Sequence, residues 1–438
     1  MSELVKYMIC QIQLLEHLKK MNALEGEGID YPIMFCIYLG MFLFCVLVNI
    51  ILFFSNNGRR VIWLEDQHKV IKSKFSYMAM LACTFTGVYL VGSFPSELQN
   101  TYGTWNADFF YTLGQTSIML TAGIYSLATY KKRKSIILNS LSIIIGLSTS
   151  IPMAASTILL PLNLENNLFK LSAIIGLISL FIILAAVSVK FDLLVKYSRI
   201  NIYLFILTTI ALFSTINIEP SEMLDSSKIL PFQGMLHERP WLELLENPYW
   251  WYFESTVVAW SVFCGRFVAY CSNGYSIRQV IEYGTFSLIV LTVIWHLVSA
   301  ATGYTLSFSR GKIIYVLTAI TMLAFAVTSL DSASKTLLND TSRITKSRDL
   351  NIKSDVILFL IMVVIGVINI MVLYTGSSKL FTIFFSLVFI PYLICAIIYS
   401  FKFALGKIDY SESGTITEKK YIELSGKEPD EEDFRRII

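Results

Sequence analysis

Charge is scarce in this sequence. Charged residues fill 15% of its 438 positions, whereas soluble domains carry about 25%. So few charges cannot clothe a chain of this size in a water-compatible surface, which excludes an ordinary soluble fold. The net charge is +3, and the basic residues sit in short loops rather than in one stripe, so no nucleic-acid partner is expected. Histidine is rarer still. His17, His68, His237 and His296 are scattered, which leaves no metal cluster and no catalytic imidazole with neighbours. Six of the seven cysteines, all but Cys10, lie in apolar runs and read as small buried hydrophobes. Cys264 and Cys271 share a helix face, but no His or carboxylate accompanies them. Walker, HExxH and Gly-rich nucleotide motifs are all missing, and no Ser/His/Asp site can be assembled. An enzyme is not expected, nor a pump driven by nucleotide.

What the sequence has in plenty is apolar residues, at 55% of the chain. A bilayer core is crossed by about 20 apolar residues in a helix. Runs of that kind fall at 31–54, 75–93, 108–130, 137–160, 168–189, 198–216, 249–272, 281–306, 313–338, 354–374 and 380–404. Backbone groups must pair within each segment in lipid, so these are helices. The expected fold class is an all-α integral membrane protein of about eleven transmembrane helices. Residues 1–30 lack an apolar core and suit a surface helix.

Basic residues set the orientation. The loop 55–74 holds Arg59, Arg60, Lys69, Lys72 and Lys74, and later loops on the same side hold Lys131 to Lys134, Lys190, Arg278 and Arg343. The loop 94–107 has no Lys or Arg. The positive-inside rule puts 55–74 in the cytoplasm and the Pro-rich 217–248 segment outside. An odd number of spans then leaves the N-terminus outside and the polar tail 405–438 in the cytoplasm. The 217–248 segment is the one long external connection, and an apolar helix lying flat over the mouth of a bundle would suit 228–247.

Polar residues within apolar spans are costly and often functional. Thr328, Ser329, Asp331, Ser332 and Ser334 cluster within 313–338. Side-by-side hydroxyls next to a carboxylate suit a small hard cation, and small residues equally suit helix packing. Trp260 stands deep in 249–272, free either to stack on a cation or to pack. Arg266 lies deeper still and needs an anionic partner. Asp331 is one candidate, and a carboxylate on a bound solute is the other. Glu254 near the external boundary reads as snorkelling, and His296 as structural.

Four stretches carry a family resemblance. Phe325 to Ser334, FAVTSLDSAS, resembles the "FxVTSADSGS" stretch of the betaine/choline/carnitine transporter family. Gly265 to Val280, GRFVAYCSNGYSIRQV, resembles its "GMFIARISKGRTIREF" segment. Ser188 to Leu204 and Ser55 to Glu65 resemble two further family segments, in the same order along the chain. The resemblance implies a LeuT-like inverted-repeat helical bundle over 75–404, with 31–54 as a peripheral helix matching the family's second and the first helix missing. It also implies a homotrimer or larger membrane assembly in a bacterial inner membrane.

The same resemblance assigns candidate residues. The family's aromatic box falls on Tyr111, Thr116 and Met119, and on Thr256, Val257 and Trp260, so only Tyr111 and Trp260 remain aromatic. The family's arginine one turn further along is Tyr270, and Arg266 is new. The candidate solute site is Tyr111, Trp260 and Phe263, with Arg266 added from its own place in the span. The implied sodium site is Thr328 and Ser329, the backbone at Phe325, and the region of Leu81 and Thr84. The expected function is secondary active transport of a small polar or zwitterionic solute, a compatible solute of quaternary-ammonium type in the family, with sodium as coupling ion. The competing expectation is a non-transporting homologue that works as a membrane sensor or scaffold.

Overall fold

The computed structural model describes residues 31–64, 71, 73–86, 105–129, 135–146, 176, 191–214, 248–302, 312–348, 364–365, 368, 378–408 and 415–416. The surface helix expected before residue 31, the 217–248 segment up to residue 247, and nearly all of the 168–189 and 354–374 spans lie outside these residues. So does most of the tail beyond 408, and the side chains of Tyr111, Glu254 and His296 are likewise outside.

The described chain is helical apart from two short strands. Its helices are α1 (Tyr31–Phe54), α2 (Lys74–Thr86), α3 (Trp105–Thr129), α4 (Ser135–Gly146) and α5 (Phe191–Phe213), then α6 (Pro248–Cys271), α7 (Ile277–Thr302), α8 (Lys312–Arg348) and α9 (Ser378–Ala404). Five of them are long and apolar enough to cross a membrane: those at Ile37–Phe54, Phe191–Phe213, Ile277–Trp295, Lys312–Asp340 and Leu387–Ala404. Their outward faces carry bare apolar side chains such as Phe44, Leu47 and Phe54 on α1 and Tyr203, Leu207 and Ile210 on α5. Water would penalise that surface, and lipid does not.

Two helices are longer than their apolar runs. α5 starts at Phe191, where the apolar run starts at 198. Lys196 and Arg199 are exposed on it while Leu194, Ser198 and Ile202 are buried, so its first turns are amphipathic rather than uniformly apolar. α8 runs 37 residues, about 55 Å at 1.5 Å per residue. That exceeds a hydrocarbon core of about 30 Å. The extra turns carry Asp340 and the basic residues Arg343, Lys346 and Arg348, and cations suit the negative end of a helix dipole.

Packing divides the helices. α3 lies against α6 along most of its length, and α1, α7 and α9 close around this pair. α8 packs chiefly on α5, and α2 lies between α5 and α7. α8 also meets α6 and α2, each over a shorter stretch than it meets α5. The α3–α6 contact is close because Gly123 and Gly265 face each other's backbone: a Cβ on Gly265 would fall 2.6 Å from the Ala122 carbonyl carbon. Small residues that let backbones approach are a usual means of helix association in lipid.

The ends of the helices on the basic side are tied together. Arg278 donates from Nε to the Phe53 carbonyl at 2.7 Å, and Asn57 donates to the Phe403 carbonyl at 2.6 Å. Both bond last-turn carbonyls, and the Phe403 carbonyl also takes the Gly406 amide at 2.9 Å. Strand β1 (Val61–Ile62) pairs antiparallel with β2 (Thr415–Ile416). On its other side, Ile62 donates to the Tyr275 carbonyl at 2.9 Å and accepts from the Gly274 amide at 2.8 Å. Gly274 has φ 87°, left-handed backbone that glycine adopts without penalty. Tyr77 stacks on Tyr275 with centroids 4.0 Å apart and bonds Ser272 through its hydroxyl at 2.6 Å. The start of α2 is thereby fixed to the α6–α7 turn.

Candidate functional site

The hydroxyl run of α8 faces α2 and α5. Thr328, Ser329, Asp331 and Ser332 are all buried. Ser329 Oγ donates to the Cys83 carbonyl at 3.1 Å, and the Thr84 and Ser332 hydroxyls are 3.2 Å apart. Thr328 donates to the Ala324 carbonyl one turn back and accepts from the side-chain amide of Asn201 on α5. Asn201 also donates to the Ala324 carbonyl at 2.9 Å.

The last turn of α2 is tied from three sides. The Cys83 carbonyl takes Ser329 from α8, the Thr84 carbonyl takes the Cys264 thiol from α6 at 3.8 Å, and the Phe85 carbonyl takes Gln115 from α3 at 2.5 Å. Here the donors are side chains within a buried seam, so oxygen atoms of α2 and α8 converge in an otherwise apolar interior. Small hard cations favour an all-oxygen set of this type. Of the residues named from the sequence, Thr84, Thr328 and Ser329 come together here. Leu81 and Phe325 are fully buried, and the Phe325 ring lies 6.4 Å from that of Phe205. Among the described residues, no group of three or more His, Cys, Asp or Glu side chains could hold a metal.

Trp260 and Phe263 lie where α6 faces α4. Their ring centroids are 6.1 Å apart, and Trp260 Nε1 donates to the Gly146 carbonyl at 3.2 Å. Gly146 makes room for both rings, since a Cβ there would fall 2.7 Å from Trp260 Cδ1. Ser142, one turn earlier on α4, donates to the Ala259 carbonyl at 2.5 Å. Tyr111 falls on α3.

Arg266 is 1% exposed, and so is Asp340. Its Nε donates to Asp340 Oδ2 at 2.6 Å and its Nη2 to Asp340 Oδ1 at 2.5 Å, the two-pronged geometry that suits guanidinium to carboxylate. Nη1 reaches the Ser135 hydroxyl at 3.3 Å, and Asn139 donates to Asp340 Oδ2 at 2.8 Å. The carboxylate facing Arg266 is therefore one that lies past residue 338, and neither Asp331 nor a solute is needed to supply it. Asp340 escaped the sequence reading because α8 was expected to stop at 338. A signal was available: the helical pattern has no breaker before Arg348, and Asp340 is followed by hydroxyl and basic residues that continue a helix.

No protein-family model matches this chain, and no curated protein matches it. Among solved structures, the chain is similar to a Na+-coupled sialic acid symporter in a substrate-bound, outward-open state. The two are 11% identical, the match covers 79% of this chain and 80% of that one, and the TM-score is 0.48.

Proposed function

We propose that the protein is a secondary transporter of a small polar or zwitterionic solute, coupled to sodium. The observation that carries this reading is the buried oxygen-rich seam where the last turn of α2 meets Thr328, Ser329 and Ser332 of α8. Buried polar groups in a membrane interior are expensive and often line ion or solute pathways. The residues fit a sodium ion: the Ser329 and Thr84 hydroxyls and nearby backbone carbonyls are all hard oxygen donors, and Thr328 adds another. A bound sodium would link solute movement to the ion gradient.

In this reading Tyr111, Trp260 and Phe263 face the solute. Arg266 is paired with the protein's own Asp340. The second reading, a sensor or scaffold without transport, draws on the direct Ser329–Cys83 and Arg266–Asp340 contacts, which leave the seam well joined. Purified protein in lipid vesicles, tested against a panel of amino acids, betaines and sugar acids with and without a sodium gradient, separates the two. Concentrative uptake that collapses without sodium is the expected result. Folded protein that moves none of the panel under either condition would overturn transport in favour of the sensor.

A further inference from the structure

We infer that Asn201 sets the sodium affinity of the α2–α8 seam: its side-chain amide bonds oxygens of the seam when no ion is bound and must be displaced when one enters. The inference rests on the sodium reading of the seam and deepens it. Asn201 is buried on α5 and reaches α8. Proton bookkeeping shows what it meets. A hydroxyl has one hydrogen to give and two lone pairs to receive with. Thr328 gives its hydrogen to the Ala324 carbonyl, Ser329 to the Cys83 carbonyl and Ser332 to the Thr328 carbonyl. Thr84 has the Met80 carbonyl at 2.8 Å for its own. Each of these hydrogens has a backbone carbonyl to go to, and what remains in the seam is lone pairs. A set of oxygen acceptors suits a cation. The N–H group turned towards it from α5 is that of Asn201, which donates to the Ala324 carbonyl at 2.9 Å and to the Thr328 hydroxyl oxygen.

Its neighbours dictate the orientation of this amide. A carbonyl oxygen only accepts, so the group beside Ala324 must be the NH2 end, and turning the amide over would set oxygen against oxygen. Both amide hydrogens are thereby committed to oxygens of α8. A sodium ion on the Thr328 hydroxyl meets the positive end of the amide and finds one lone pair already engaged. The bonds that oppose it can yield, because the Ala324 carbonyl is oversubscribed. It takes the Thr328 hydroxyl and the Asn201 amide besides its own helical partner, against two lone pairs. The place of α5 does not hang on Asn201. Thr208 and Thr321 join it to α8 at 2.7 Å, and the Cys83 thiol joins it to α2 at the Ser198 carbonyl, 3.7 Å away. The residue is thus a local competitor of the ion, one that keeps sodium binding weak enough for release.

The test titrates sodium chloride against the purified full chain in detergent, with potassium chloride holding the ionic strength constant, and reads the rise in melting temperature. No solute is present. Asn201→Ala removes both donors and is expected to lower the half-saturating sodium concentration about tenfold, equal to about 1.4 kcal/mol of lost competition. The direction decides, because a residue that only positioned Thr328 for the ion would raise that concentration on removal. An unchanged or raised value therefore overturns the inference. Asn201→Asp sets a carboxylate beside the Ala324 carbonyl and the Thr328 hydroxyl, an arrangement that a nearby cation favours. Sodium is expected to stabilise this variant at concentrations at least as low as for Asn201→Ala. Should the Ala variant fail to fold, the Asp variant decides alone: a parental or weaker response to sodium, or failure to fold in sodium, overturns the inference. If the parental chain responds to sodium and the variants match it, only the role of Asn201 falls. If neither the parental chain nor the variants respond, sodium coupling falls with it.

Discussion

Gly265 and Gly40 are both helix glycines, yet they answer to different demands. A Cβ on Gly265 would strike the Ala122 and Gly123 backbone at 2.6–2.7 Å, whereas one on Gly40 meets nothing within 4 Å. Backbone cannot rotate aside as a side chain can, so Gly265→Ala must push α3 and α6 apart. It is expected to cost about 1–3 kcal/mol, read as a clear drop in melting temperature in detergent. Gly40→Ala should leave the melting temperature unchanged or raise it, by up to about 1 kcal/mol of helix propensity. The ion pair gives a second contrast. Arg266→Gln alone and Asp340→Asn alone each strand a buried charge and should destabilise by about 3–5 kcal/mol. The paired variant should lose less than the sum. A thermal-stability cycle that came out additive would mean the two side chains do not depend on each other.

At the scale of elements, α8 does the most. Its hydroxyls face α2 and α5 near its middle, and its carboxylate Asp340 faces α6 and α4 towards its end. Replacing Thr328 and Ser329 together by Ala removes the acceptor for Asn201 and the donor to the Cys83 carbonyl. Leaving those partners buried without bonds should cost about 1–3 kcal/mol each. If sodium binds here, uptake by that variant should lose its sodium dependence while the protein still folds. Unchanged dependence would move the ion elsewhere. α6 shows why element boundaries matter to function. Read as a run, it carries an arginine whose candidate partners are Asp331 and a solute carboxylate. In the fold, that arginine meets the extended end of α8.

At the scale of the whole molecule, the helix ends that carry basic loops gather on one face. Arg278 joins α7 to α1 there, Asn57 joins the segment after α1 to α9, and β1 joins the chain near the C-terminus to the α6–α7 turn. The charge bias predicts a cytoplasmic position for this face. Single cysteines placed at the two termini of the full chain should therefore label from opposite sides of sealed vesicles, the C-terminus from the cytoplasmic side. Both labelling from one side would rule out an odd number of spans.

The apolar runs and the spacing of basic residues determined that this chain is helical and suited to a bilayer, because hydrophobic length and loop charge are local properties that need no knowledge of packing. The hydroxyl run on α8 was legible for the same reason, since polar side chains in an apolar run stand out without reference to neighbours. The partner of Arg266 was not legible. It depended on α8 continuing past the apolar stretch and on the angle at which α6 crosses it, both settled by contacts among helices distant in sequence. The role of Gly146 in seating Trp260 and Phe263 was hidden for the same reason. A glycine's freedom is visible in one dimension, but what approaches it is decided only when the helices pack.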